Sequence, residues 1–145
     1  MTRIEFFFNV EDKRRKIFDL CESAVNKGRR LLLFTVDSTA TTEIEHFLWT
    51  HPATGFLPHC RAQSALAAVT PVIIDWQGEQ LPHDDVLINL QSQYPPFFSR
   101  FRRLIEIVGA DEADRLQARE RYRFYRDRGY EIKSFDVSDA SGAGL

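Results

Sequence analysis

The feature that most constrains this chain is a set of short apolar runs: LLLFTV at 31–36, VIIDW at 72–76, VLINL at 86–90 and LIEIV at 104–108. A strand with one wet face alternates polar and apolar residues. A near-continuous apolar run such as LLLFTV needs cover on both faces, which parallel strands between two helical layers receive. IEFFFN, from Ile4 to Asn9, is a further Phe-rich run read as a buried strand.

The intervening segments repeat with helical spacing. From Glu11 to Lys27 the apolar positions are Ile17, Leu20, Cys21, Ala24 and Val25, at i, i+3, i+4, i+7 and i+8. Gly28 stands where a helix-ending glycine belongs. Asp37 and Ser38 are N-cap candidates for a second helix running through Ile44, Phe47 and Leu48 to Trp49. The order β-α-β-α opens a doubly wound α/β sheet. Residues 52–71 read as mostly irregular, and YPPFF at 94–98 blocks regular sheet and can start a short helix. Asp111 to Arg128 is a further helix, with Asp111, Glu112 and Asp114 suiting the dipole of its first turn. Tyr130 to Val137 reads as a last strand at the sheet edge. With no internal repeat or interior linker, 1–137 reads as one domain and 138–145 as a disordered tail.

A length of 145 residues suits one domain with its own core. The net charge of −2 assigns any polyanion binding to a local patch. Two cysteines, Cys21 and Cys60, make no disulfide framework, and Cys21 falls on the apolar stripe of its helix. The first apolar run is too short for a signal-peptide core or a membrane span, so the expected compartment is the reducing cytoplasm.

Sequence motifs for catalysis are missing. There is no GxGxxG and no GxxxxGK[ST], and the segment after the first strand, NVEDKR, contains no glycine to let backbone N–H groups cradle a phosphate. His46, His51, His59 and His83 lack the convergent spacing of a zinc site. Asp84 and Asp85 suit a turn better than acid–base work. No nucleophile elbow surrounds a serine or cysteine. The reading is a non-catalytic protein with no cofactor and no metal.

The richest segment is ADEADRLQARERYRFYRDRGY. At about 100° per residue, Tyr122, Arg115, Arg126, Arg119 and Arg123 share an arc of roughly 100°. Ala113, Leu116 and Phe124 lie on one side and Ala118 and Tyr125 on the other, so two packed flanks are expected. A solvated face with Glu120 and Asp127 as ion-pair partners explains the stripe as well as function does. If functional, guanidinium forks beside a phenol suit a peptide carboxylate or a nucleic-acid backbone.

LQARERYRFYRDRGYEIKSFDV resembles the C-terminal region of the chi subunit family of bacterial DNA polymerase III. FLWTHPATGFLPH (47–59), PVIIDW, DDVLINL and KGRRLLLFT are similar to further segments of that family, so the likeness covers nearly the whole chain. It implies a Rossmann-like, three-layer α/β/α fold with a mostly parallel sheet and no nucleotide-binding loop. It also implies a non-catalytic clamp-loader accessory subunit acting in DNA replication. Such a subunit links the psi subunit, in a 1:1 heterodimer, to the acidic C-terminal tail of single-stranded DNA-binding protein (SSB), and meets DNA only through SSB. The SSB-tail residues implied are Val108, Arg115, Arg119, Tyr122 and Arg123, with Arg119 on the terminal carboxylate and Val108 and Tyr122 beside the tail's Phe ring. Arg123 stands where the family has a lysine. Trp49 and Phe56 would face psi, although burial as core aromatics within the chain explains them at least as well. The alternative is a module that binds nucleic acid directly through the same helix.

Overall fold

The computed structural model describes residues 1–50, 58–79 and 81–138. The elements run β1 (Arg3–Val10), α1 (Lys13–Asn26), β2 (Leu31–Phe34), α2 (Ser38–Thr50), β3 (His59–Arg61), β4 (Val72–Asp75), β5 (Val86–Asn89), β6 (Arg103–Gly109), α3 (Glu112–Asp127) and β7 (Ile132–Asp136). The strands form one sheet in the order β3-β4-β2-β5-β6-β1-β7, and every pairing is parallel. All four residues of β2, β4 and β5 are buried, as strands covered on both faces require.

One core layer lies under α1 and α2 and joins Phe7, Ile17, Cys21, Leu33, Ile44 and Ile105. The other lies under α3 and joins Phe6, Leu32, Phe34, Phe98, Phe101, Leu104, Val108, Ala118 and Tyr125. Burial pushes the Cys21 thiol up to about 12, which keeps it a neutral core group. The caps follow the sequence. The Asp37 carboxylate accepts from the Ala40 N–H at 2.8 Å, and the Asp111 carboxylate accepts from the Asp114 N–H at 3.2 Å. Gly28 and Gly129 take φ of 75° and 85° just beyond α1 and α3.

Three local readings change. The stretch read as mostly irregular contains β3, a three-residue edge strand paired with β4, and a 3-10 turn at Ala67–Val69. A strand this short leaves almost no periodic signal. Helix α3 buries one flank, through Ala118, Arg121 and Tyr125, while Leu116 stays 51% exposed. Phe124 is half-buried because the irregular segment before β6 supplies Tyr94, whose ring stacks on it at 3.6 Å. Trp49 is 63% exposed at the end of α2, with the His59 ring at 5.4 Å, so it is no core aromatic of this chain. Phe56 lies outside the described residues, as do positions 139–145 of the tail.

The sheet is joined to α3 by ions. Glu106, central in β6, is fully buried, and its carboxylate accepts from Arg121 Nε at 3.0 Å, Tyr125 Oη at 2.6 Å and Asn89 Nδ2 at 3.0 Å. Arg121 spends a second donor on the Ser92 carbonyl at 2.8 Å. Burial pushes the Glu106 carboxyl above its ordinary range, against the opposing pull of Arg121, Tyr125 and Asn89. Removing one member strands a buried charge, which costs about 3–5 kcal/mol, whereas replacing both ions by apolar groups is often nearly neutral. Urea unfolding of Arg121→Met should therefore show a loss of about 3–5 kcal/mol, most of it recovered in Glu106→Leu/Arg121→Met/Tyr125→Phe, which also removes the buried hydroxyl that Glu106 satisfies. Additive losses in the triple variant would contradict the network.

Candidate functional site

Strand β1 carries three phenylalanines in a row, and strand alternation sends them to two faces. Phe7 goes to the α1 side, while Phe6 and Phe8 face α3. With Val108 of β6, Ser134 of β7, and Arg115, Ala118, Arg119 and Tyr122 of α3, they line a cleft of about 370 Å³ that also includes Asn9. Its floor is apolar. The Tyr122 and Phe6 rings meet at 5.4 Å, tilted by 59°. Its rim is cationic.

The rim arginines differ in freedom. Arg115 donates to Asn9 Oδ1 at 2.6 Å. Asn9 Nδ2 in turn donates to Asp136 Oδ1 at 3.0 Å. Asn9 has φ of 62°, the left-handed conformation that asparagine tolerates better than most residues, and this turns its amide toward α3. Hydrogen bonds from Ser138 and then Asn9 hold the Asp136 carboxyl below its usual range. Arg119 has no hydrogen bond or ion pair among the described residues, so its guanidinium is available to a ligand. Arg123 is not among the lining residues and pairs with Glu120 at 3.2 Å. Arg126 pairs with Asp127 at 3.2 Å. The stripe read from the sequence is thus divided. Arg123 and Arg126 form surface pairs, while Arg115 and Arg119 stand with Val108 and Tyr122 around one cleft. Phe6, Phe8, Asn9 and Ser134 had no place in the sequence-derived site. The period-two alternation of β1 is the signal that could have found the two phenylalanines.

The other place to test for chemistry is the C-terminal edge of the sheet, between the starts of α1 and α3, where many α/β proteins take phosphates. Here the chain supplies its own anion. Asp114 Oδ2 accepts from the Gly109 N–H at 2.6 Å and pairs with Lys13 Nζ at 2.6 Å. A Cβ on Gly109 would come within 3.1 Å of the Asp114 carboxylate and 3.2 Å of that of Asp111, so glycine is what lets the two acids close in. The N–H that could serve a phosphate is already donated. Among the described residues, no group of three His, Cys, Asp or Glu side chains converges as metal ligands.

The family profile described as "DNA polymerase III chi subunit, HolC" matches residues 1–133. The chain belongs to this family. It is 33% identical over 120 residues to "DNA polymerase III subunit chi" of Haemophilus influenzae, covering 82% of this chain and 83% of that one. The protein of the same name from Pseudomonas aeruginosa is 31% identical over 137 residues, or 92% and 95% of the two chains. That of Escherichia coli K12 is 29% identical over 119 residues, or 79% and 81%. A chi-family chain is a component of the replicative DNA polymerase III, so this one acts within a complex. Among the described residues no helix is long and apolar enough to cross a membrane.

Burial pushes Asp114 up, but the bonds from Lys13 and Gly109 outweigh it and hold the carboxyl below its usual range. A carboxyl depressed on folding contributes stability above its unfolded pKa and loses it as pH falls through the folded value. Asp114→Asn should therefore lower stability at neutral pH and converge with the wild type as the pH falls through and below the ordinary carboxylate range. Unfolding curves offset equally at every pH would contradict this.

Proposed function

We propose that this chi-family chain is a non-catalytic adaptor that links psi to the acidic C-terminal tail of SSB during replication. The observation that carries the reading is the meeting, in one cleft, of Arg119, unpaired among the described residues, with an apolar floor of Phe6, Phe8, Val108 and Tyr122. A peptide ending in an aromatic residue and a free carboxylate needs those two features side by side. Arg119 takes the terminal carboxylate, Arg115 adds a second positive charge held in place by Asn9, and the terminal ring enters between Val108 and Tyr122. Arg123 acts at longer range, on the acids that precede the ring.

Charge-assisted hydrogen bonds to Arg119 and Arg115 contribute about 1.5–3 kcal/mol each. Burying one Phe ring adds about 1.5–3 kcal/mol. Ordering the tail and losing translational freedom offset much of this, leaving an affinity of roughly micromolar order, about −8 kcal/mol. The direct nucleic-acid reading of the same helix is weakened by the pairing of Arg123 with Glu120 and of Arg126 with Asp127, which leaves the stripe fewer free cations.

Calorimetric titration of an SSB-tail peptide tests the pocket. Arg119→Ala should weaken binding about 10–100-fold, and binding should fall as salt rises because the rim is exposed. Equal affinity for wild type and Arg119→Ala would remove Arg119 from the site. On the psi side, exposed Trp49 is the anchor, with Phe56 seven positions later in the sequence. Trp49→Ala should abolish co-elution with psi while leaving peptide affinity unchanged; a retained complex would place psi elsewhere.

A further inference from the structure

The opposite face of β6, β1 and β7 carries a second feature, independent of the proposed peptide cleft. Helix α3 covers one face of these strands, and α1 covers only part of the other. What remains open is a groove of about 660 Å³ beside α1, toward the N-terminal ends of β1 and β6. Its charge is unlike that of the whole chain. Each acid in it is already engaged: Glu5 by Arg103 at 2.8 Å, Asp85 by Arg29 at 3.7 Å and Asp19 by Arg15 at 3.4 Å. Four further cations line it, Arg3, Lys16, Lys27 and Arg102, and none has a carboxylate within 4.0 Å among the described residues.

Lys16 is the unusual member. It is only 5% exposed, yet among the described residues its ammonium has no ion-pair or hydrogen-bond partner, and it rests over the Phe7 ring at 4.4 Å. Burial holds it below the usual lysine range, with Asp19 pulling the other way. A buried cation with a ring as its only partner is costly unless an anion completes it. Beside it, Phe135 of the edge strand β7 stacks on Phe7 at 5.0 Å and 19° and keeps 37% of its surface exposed. The groove therefore joins a row of uncompensated cations to an open aromatic face.

We infer that this groove holds single-stranded nucleic acid, its phosphates on Arg3, Lys16, Lys27 and Arg102 and a base on Phe135. A peptide with one aromatic end needs its cations gathered beside the ring, as in the cleft on the other face, whereas here Arg3, Lys16, Lys27 and Arg102 are spread over the groove, which suits repeating phosphates with a base stacked on Phe135. The chain would then touch the strand itself, on the face opposite the proposed SSB-tail cleft.

Fluorescence anisotropy of a labelled oligothymidylate of about ten nucleotides, titrated with the full chain, tests this. Binding is expected at about 50 mM salt and should weaken with a log–log slope of about 3, from four phosphate contacts at roughly 0.7 each. Arg102→Ala, Lys16→Met and Phe135→Ala should each weaken it about ten-fold, and Arg119→Ala should leave it unchanged. Arg102 and Phe135 are exposed, so those two variants decide the matter if Lys16→Met fails to fold. Absence of binding at low salt, affinity unmoved by Arg102→Ala and Phe135→Ala, loss with Arg119→Ala, or equal displacement by oligoglutamate would each overturn the proposal.

Discussion

The buried carboxylate of Glu106 is the constraint on which the rest of the structure depends. It lies in the middle of β6, adjacent in register to Phe6 of β1, and is satisfied by Arg121 and Tyr125 of α3 and Asn89 of β5. Apolar packing alone lets a helix rotate by some degrees on a sheet, because dispersion contacts have little direction. Hydrogen bonds to a buried ion have direction, and they are expensive to leave unmade. Fixing Arg121 and Tyr125 against Glu106 therefore fixes the rotation of α3, and with it the positions of Arg115, Arg119 and Tyr122 around the neighbouring flank. The cleft follows from the core.

Sequence period two explains why one group of strands can present two different surfaces. Phe6 and Phe8 go to the α3 side, and Phe7 goes to the α1 side, where it stacks with Phe135 and supports Lys16. The result is an apolar cleft with a cationic rim on one face and a cationic groove with an aromatic edge on the other. At the C-terminal edge, Asp114 takes the Gly109 N–H that could otherwise serve a phosphate. A Rossmann-like sheet can thus be put to use through its faces rather than its phosphate-binding edge, in keeping with the general independence of fold and function.

Much of the fold was legible because it is written in composition. Fully apolar runs identify doubly covered strands, and the 3.6-residue stripes, Asp caps and terminal glycines bound the helices. β3 was not legible, since three residues carry no period. Arg121 and Glu106 were illegible for a different reason. Each is a charge in an otherwise ordinary context, and only the register that sets β6 beneath α3 reveals them as a pair. In the cleft, Val108, Arg115, Arg119 and Tyr122 came from family resemblance together with helical spacing. The division of the arginines into free and paired did not, because it depends on which carboxylates are in reach. Asn9 was hidden because it was read as the end of a buried strand and the start of a segment lacking glycine, although its left-handed backbone makes the turn that a glycine could have made.

Amide chemical-shift mapping of the ¹⁵N-labelled chain with an SSB-tail peptide tests the central claim most directly. The account predicts the largest shifts at Phe8, Asn9, Val108, Arg115, Arg119 and Tyr122, with Phe7, Lys16 and Arg102 quiet. Shifts concentrated around α2, or on the α1 face of β1, would contradict it.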